Sequence, residues 1–296
     1  MYVEWIRRAY EGGQRILVAL AVNNMLLAKE FGGGPDVTRY HDNTVVDRQI
    51  QAIKEMVANH SDWMEIAYSP ADARRIIHSN KLAVVLGVEV DALGNCIHES
   101  DCNEAQVDAY LQHLYNQGVR QITPVHLTDN AFGSAAIYSD LFSVLNRFLR
   151  GEIGRRENMY FEIACGSATG VQFRLGELEG PAVGWYRAHV PLAGRPYYDP
   201  PNYANMCRGE GHVNRNGITR LGRYLLNRMM DRGMLIDIDH MSEKMTNEVL
   251  DIFEQRGYPP VSSHTGFRHL AWLRGETTIT DKHNKLPNES QKTRQQ

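Results

Sequence analysis

Four apolar, strand-like segments of this sequence end on a side chain that can bind a metal ion or transfer a proton. They are Glu89 at the end of LAVVLGVE, His126 at the end of QITPVH, His240 at the end of MLIDIDH and His264 at the end of PVSSH. Each alone has an ordinary explanation, because a single histidine is usually a hydrogen-bonded core or surface residue and a strand-end glutamate is often solvated or paired. Four such placements are harder to dismiss, since the 12 histidines of the chain could lie anywhere.

A carboxylate and two of these imidazoles would form a His2Glu set, which catalytic zinc sites use while leaving one coordination position for water. Zinc in such a site acidifies water and polarises a carbonyl group.

Other catalytic patterns have little support. The chain has no G-x-S-x-G motif, and FGGGPD (31–36) lacks the Lys-Ser/Thr that completes a phosphate-binding loop, so we expect a turn there.

The segments that must position these side chains alternate between strands and helices. Five segments are apolar on both faces, as parallel strands are: 15–22, 81–90, 119–127, 234–240 and 259–264. Helical periodicity and capping residues predict helices over 44–60, 69–80, 103–118, 217–233 and 242–257. This alternation predicts an α/β fold, in which the carboxyl ends of the strands meet at the active site.

The segment GMLIDIDHMSEK (233–244) contains two aspartates and a histidine within an apolar run, and their expected orientations differ. Strand alternation predicts that His240 shares a face with Ile238 and Ile236 and that this face lines the interior of the barrel. Asp237 and Asp239 should then point the other way, as structural partners or supports for ligands. Ser242 is expected to cap the helix that follows.

Composition excludes several classes of protein. The net charge is −3 and no apolar run reaches transmembrane length, so we expect neither a nucleic-acid partner nor a transmembrane segment. The start lacks the features of a signal peptide. The four cysteines form no C-x-x-C pair, and we expect scattered reduced thiols in a reducing compartment.

Three stretches resemble the membrane (renal) dipeptidase family of the metal-dependent amidohydrolase superfamily. They are YNQGVRQITPVHLTDNAFG, NGITRLGRYLLNRMMDRGMLIDIDHMS and PPVSSHTGFRHL, with NKLAVVLGVEVDALGN in support. The resemblance runs from about Gly12 to Leu286, apart from the stretch 151–216. It implies a (β/α)8 TIM-barrel with a binuclear zinc centre that hydrolyses dipeptides or related small amides.

The resemblance also implies roles for individual residues. Glu89 matches the glutamate that bridges both metals, and His240 and His264 match the two histidines of the second metal. His126 matches a histidine that contacts substrate near the scissile carbonyl. Arg268 or Arg274 matches loosely a residue for the substrate carboxylate.

The departures from the family pattern lead to further expectations. No strand bearing H-x-D precedes Arg15, and YHDN (40–43) is rejected as its equivalent because it follows the first strand and leads into a helix. The proton-shuttle aspartate of the family is expected beyond the C-terminus, so no catalytic residue is assigned. We expect an incomplete barrel lacking strand 1 and strands 7 and 8, a fragment of a longer hydrolase with at most one zinc site and impaired or no activity.

We therefore expect one partial barrel domain over 1–275, with an insertion at about 151–216, followed by a polar tail or truncated helix over 276–296. Two alternatives stay open: another amidohydrolase activity, such as lactone or phosphoester hydrolysis, and a non-catalytic barrel remnant that acts by protein contacts. The expected partner is a dipeptide or other small substrate, and a homodimer is compatible with the sequence. A cytoplasmic location is the default expectation, because the sequence shows no signal peptide. The location is still unknown, because a signal peptide could have been lost with the N-terminus.

Overall fold

The computed structural model describes residues 2–25, 27–28, 40–137, 140–153, 161–166, 207 and 211–264. Arg268, Arg274, the predicted tail over 276–296 and most of the predicted insertion lie outside these residues.

The described elements follow the predicted alternation of strands and helices. The helices are α1 (Val3–Glu11), α2 (Asp42–Asn59), α3 (Pro70–His78), α4 (Glu104–Asn116), α5 (Asp140–Asn146), α6 (Arg220–Asp231) and α7 (Glu243–Arg256). The strands are β1 (Ile16–Asn23), β2 (Met64–Ile66), β3 (Leu82–Val90), β4 (Val119–Thr123), β5 (Ile163–Gly166), β6 (Gly211–Asn214) and β7 (Leu235–Ile236). A π-helical segment, Arg147–Ile153, continues α5. Among the described residues, no helix has the length and apolar character to cross a membrane.

The main sheet is parallel and follows the order of the chain. Its strands run β1, β3, β4, β7, and the short β2 shares one edge of β3 with β4. A single bridge between Asp237 and Val261 extends the sheet past β7. Along β1, β3, β4 and β7 the strand order does not reverse, as it does at the switch point of a doubly wound fold, and this sequential order is typical of (β/α)8 frames. The short β2 departs from it, because it pairs with the start of β3 and does not lie between β1 and β3. Among the described residues β1 and β7 do not pair with each other, so their sheet is open, which is compatible with the predicted incomplete barrel.

Alternation along β3 sorts its side chains onto two faces. Val84, Leu86 and Val88 are buried in the main core, where they pack with residues of α4, α6 and α7. Glu89 and Gly87 lie on the opposite face. A Cβ atom at Gly87 would lie 2.6 Å from the side chain of Leu20 on β1 and 3.4 Å from Cβ of Gln121 on β4, so these neighbours share its face. The face that carries Glu89 is therefore distinct from the apolar core.

The segment around His240 differs from its prediction. Regular pairing covers only Leu235–Ile236, whereas a strand was predicted over 234–240. Ile236 and Ile238 belong to the apolar core and not to the interior face. Asp237 lies on the side of Gln121, whose amide Nε2 donates a 3.1 Å hydrogen bond to its carboxylate. The predicted assignment of faces was wrong, because the aliphatic side chains pack against the helices.

The predicted cap at Ser242 is confirmed, and Ser69 caps α3 in the same way. Ser69 begins α3 and its hydroxyl accepts a hydrogen bond from the backbone N–H of Asp72 at 3.0 Å, while the Asp72 carboxylate accepts one from the backbone of Tyr68. Ser242 does the same for α7 through the N–H of Met245. Gly257 ends α7 in the left-handed conformation, with φ 58°. The caps fix where α7 starts, directly after the turn that holds His240.

All four cysteines form disulfides, so the expectation of free, reduced thiols was wrong. Cys96 is bonded to Cys102, and Cys165 to Cys207. The first bond closes the loop between β3 and α4, and the second joins β5, which pairs with β6 in an antiparallel manner, to a residue shortly before β6. Disulfides persist mainly in oxidising compartments, so this pairing argues against a reducing one.

Replacing Cys165 and Cys207 together by alanine should lower the free energy of unfolding by about 4 kcal/mol, and replacing Cys96 and Cys102 by about 2 kcal/mol. The longer loop costs more because closing it removes more chain entropy from the unfolded state. Denaturant titrations of the three proteins measure this, and added reductant should abolish the differences. Denatured, unreduced protein should contain no reactive thiol; finding four would contradict the pairing.

Candidate metal centre

Three of the four predicted residues converge at the carboxyl end of the sheet. Glu89 is the penultimate residue of β3, His240 lies in the turn after β7, and His264 lies three residues beyond the bridge at Val261. Glu89 and His240 are buried, whereas the His264 side chain is 37% exposed. Residues from three separate parts of the chain therefore meet at one point that remains accessible from His264.

The ligand atoms of these residues lie close to one another. Oε1 of Glu89 is 2.9 Å from Nε2 of His240 and 3.1 Å from Nε2 of His264. The two Nε2 atoms are 2.8 Å apart. Ligand atoms around a tetrahedral zinc ion are roughly 3.3 Å apart, given bond lengths of about 2.0–2.1 Å. A shift of a few tenths of an ångström would accommodate the ion.

The state of the Glu89 carboxylate supports a cation at this point. Oε1 is buried, and within the described part of the chain it accepts no hydrogen bond, although two imidazole nitrogens are nearby. A buried carboxylate oxygen without a donor is costly. A metal ion would satisfy this oxygen, and the Nε2 atoms of His240 and His264 lie close enough to bind the same ion, so the three residues fit a metal centre.

The electrostatics favour an ionised Glu89. Burial by itself would raise the pKa of this carboxyl, but the adjacent imidazoles of His240 and His264, with the charge of His126, outweigh burial and hold the pKa well below its usual value. Glu89 is therefore a carboxylate at neutral pH, the form that binds a metal ion.

His240 reaches Glu89 through an unusual backbone conformation. Its φ is 66°, in the left-handed region that few residues other than glycine adopt. Its carbonyl oxygen accepts a 2.6 Å hydrogen bond from the N–H of Ala136, which holds this turn against the loop after β4. The chain has left the strand before His240, which explains why strand alternation did not predict its neighbours.

His126 lies beside the three converging residues. It follows β4 by three residues, its ring meets the ring of His240 edge-on at 4.8 Å, and its Nε2 is 3.8 Å from Oε1 of Glu89. Burial lowers the pKa of His126, but the carboxylates of Asp91 and Glu89 more than compensate and raise it. A buried imidazole with raised pKa next to a candidate metal centre is suited to contact a polar ligand.

Asp91 is a buried residue of this region that sequence reasoning missed. Its Oδ1 accepts hydrogen bonds from the N–H groups of Leu127 and Thr128 at 2.7 and 3.1 Å, and its Oδ2 accepts one from the Asn24 amide. Oδ2 is also 3.7 Å from Nδ1 of His126. Asp91 thus holds the loop that carries His126. Its position two residues after Glu89, in the same apolar run, was the available signal.

Asp42 was also missed, within the rejected YHDN stretch. It is fully buried at the start of α2, and its carboxylate accepts hydrogen bonds from the Asn23 amide at 2.5 Å and from the N–H of Ala92 at 2.6 Å. Burial and the charge of Asp91 raise the pKa of Asp42 to about 7. Asp42 joins the ends of β1 and β3 on the side of the sheet next to the site.

A second group, Asp237, Asp239 and His264, also has ligand atoms close enough for a metal ion. Asp239, however, accepts hydrogen bonds from the backbone N–H groups of Ser263 and His264 and from the Ser262 hydroxyl. Asp237 accepts from the Ser263 hydroxyl and from Gln121. Burial and the charge of Asp239 raise the pKa of Asp237 to about 6. These carboxylates are used to hold the segment that carries His264.

Parallel strands whose carboxyl ends bring a carboxylate and two imidazoles together are the arrangement of metal-dependent hydrolases on (β/α)8 frames. The chain belongs to the membrane dipeptidase family (Peptidase family M19), whose model matches residues 28–148 and 183–287. This confirms the resemblance seen in the sequence.

Solved structures show weaker likenesses. An amidohydrolase from Pseudomonas aeruginosa is 14% identical, with a TM-score of 0.44 over 84% of this chain and 46% of that one. Dipeptidase AC, a metallopeptidase, is 12% identical, with a TM-score of 0.46 over 94% and 56%. The probable dipeptidase PvdM from Pseudomonas aeruginosa is 19% identical, with a TM-score of 0.40 over 81% and 41%.

The chain thus spans about half the length of these structures. The assignment to the family rests on the match over residues 28–148 and 183–287 and not on these structures. A search of curated proteins finds no match.

Asp91→Ala should lower the free energy of unfolding by about 3 kcal/mol, because it leaves buried N–H donors without an acceptor. Hydrogen exchange at the amides of Leu127 and Thr128 should accelerate more than exchange elsewhere in the sheet. Asp62→Ala, at an exposed position, is the control and should change stability by less than about 0.5 kcal/mol. Unchanged exchange at both amides would show that Asp91 does not hold this loop.

Proposed function

We propose that Glu89, His240 and His264 bind one zinc ion of a hydrolase that cleaves dipeptides or related small amides. The observation that carries the proposal is the convergence of Glu89 Oε1 with the Nε2 atoms of His240 and His264, in a chain of the membrane dipeptidase family. The activity is proposed for the whole protein, since the chain spans about half of the structures it matches.

Zinc is proposed because two imidazoles and one carboxylate are a donor set that catalytic zinc sites use. When bound, zinc supplies Lewis acidity, which polarises a carbonyl group and lowers the pKa of water. The described residues supply ligands for one ion in this set, and any second ion of a binuclear centre needs ligands from elsewhere.

The protein side chains have separate tasks in this proposal. Glu89 and His240 are buried and form the inner part of the proposed site. His264 is more exposed and is proposed to lie on the side from which a substrate enters. His126, adjacent to Glu89, is proposed to donate a hydrogen bond from Nε2 to the carbonyl oxygen of the substrate. Arg268 or Arg274 is proposed to bind the substrate carboxylate; both lie outside the described residues.

The chain should bind one zinc ion, measured by competition with a chromophoric chelator. Glu89→Ala, His240→Ala and His264→Ala should each lose most of this affinity. His113→Ala is a matched control, because this imidazole of α4 pairs with Asp47 of α2 at the surface, away from the site. Unchanged retention of zinc in His240→Ala would overturn the proposed ligand set.

Hydrolysis is tested with a panel of dipeptides, a lactone and a phosphoester. We expect zinc-dependent cleavage of dipeptides that a chelator abolishes, and at most weak activity from this chain alone, because it offers one set of ligands and no assigned proton shuttle. Cleavage of the lactone or the phosphoester without cleavage of any dipeptide would contradict the proposed substrate class.

A further inference from the structure

The segment that carries His264 has little regular structure to hold it. Backbone pairing with β7 ends at Val261, whose N–H donates to Ile236 and whose carbonyl accepts from Ile238. Residues 262–264 are exposed and belong to no strand. His264 nevertheless lies 3.1 Å from Glu89, so contacts other than the sheet must set its position.

The Asp239 carboxylate supplies those contacts. It is buried directly before His240 in the chain, and its Oδ2 accepts hydrogen bonds from the N–H groups of Ser263 and His264 at 2.8 and 2.6 Å. Its Oδ1 accepts one from the Ser262 hydroxyl at 2.8 Å. Asp239 is the neighbour of His240 in the chain, and its side chain binds the backbone of His264. This contact sets how far apart the imidazoles of His240 and His264 lie.

Asp237 acts on the ring of His264 through Ser263. The Ser263 hydroxyl donates its only proton to Oδ2 of Asp237. The same hydroxyl oxygen lies 2.7 Å from Nδ1 of His264, so it must act as an acceptor there. Nδ1 then carries the proton, and Oδ2 of Asp239, 3.4 Å away, favours the same assignment. The Nε2 lone pair faces Glu89 and His240, as a metal ligand requires.

We propose that Asp237 and Asp239 are positioning residues: Asp239 fixes where the His264 backbone lies, and Asp237, through Ser263, fixes its imidazole as the Nδ1–H tautomer. The inference rests on the proposed function in assigning Nε2 to a metal ion. It also explains why two buried acids precede His240 without serving as ligands, since their oxygens are used by the 262–264 segment.

Two adjacent serines offer a matched test. Ser263→Ala removes the hydroxyl that contacts Nδ1, whereas Ser262→Ala removes one that binds Asp239 on its other oxygen. Zinc affinity, measured by chelator competition with the metal alone, should fall about 10- to 100-fold in Ser263→Ala. It should stay within about threefold in Ser262→Ala, and the stoichiometry should stay at one. Asp239→Asn, which alters the carboxylate that accepts from the N–H groups of Ser263 and His264, should lower zinc affinity as Ser263→Ala does.

A second readout needs no metal ion. Nitrogen-15 NMR of the metal-free protein reports which ring nitrogen of His264 carries the proton. The spectra are recorded at a pH about two units above the ordinary pKa of imidazole, where the ring is neutral. We expect Nδ1–H in the wild type and in Ser262→Ala, and a mixture of tautomers in Ser263→Ala. An Nε2–H tautomer in the wild type, or equal zinc affinity in the two serine variants, would overturn the inference.

The outcomes separate this inference from the proposed function. If the wild type binds no zinc but shows the Nδ1–H tautomer, the metal assignment fails and the orienting contacts stand. If Asp237→Asn or Asp239→Asn removes one of two bound zinc ions without weakening the other, the acids are ligands and the positioning role is wrong.

Discussion

The buried carboxylate of Glu89 is the constraint on which the rest of the site depends. A charge at that depth is tolerated only when opposite charges or a cation compensate for lost hydration. Three imidazoles lie near this carboxylate at the end of β3. They belong to His126 in the loop after β4, His240 in the turn after β7 and His264 beyond Val261. Even so, Oε1 keeps no hydrogen-bond donor among the described residues. This combination is why a metal ion is the simplest completion of the site.

Two of the three histidines around Glu89, His126 and His264, lie on segments that buried carboxylates hold in place. Asp91 holds the loop of His126, and Asp237 and Asp239 hold the segment of His264. His240 is held differently, by its left-handed backbone and by the N–H of Ala136. A metal site needs its ligands fixed before the ion arrives, because flexible ligands lose entropy on binding. The buried acids of this region are therefore best understood as supports.

The sequence could predict what depends on local pattern. Helices α2 and α7 were found because apolar positions repeat at helical spacing, and Glu89, His240 and His264 were found because each ends an apolar run. Helix α1 was missed because none of its residues is buried, and β2 because it has only three residues. The faces of the strand before His240 were assigned wrongly, because alternation holds only while the chain remains in the strand and regular pairing ends at Ile236. Cysteine spacing does not encode partners, so Cys165 and Cys207 could not be paired in advance. Asp42 was rejected for its place in the sequence, and only its burial shows its importance.

The central claim is that Glu89, His240 and His264 bind the same metal ion. X-ray absorption spectroscopy of the zinc-loaded protein tests it most directly, because imidazole rings give characteristic multiple scattering and sulfur ligands lie at longer distances. We expect two imidazoles and carboxylate oxygen at about 2.0–2.1 Å, with no sulfur near 2.3 Å. A shell of oxygen ligands alone, without imidazole scattering, would contradict the account.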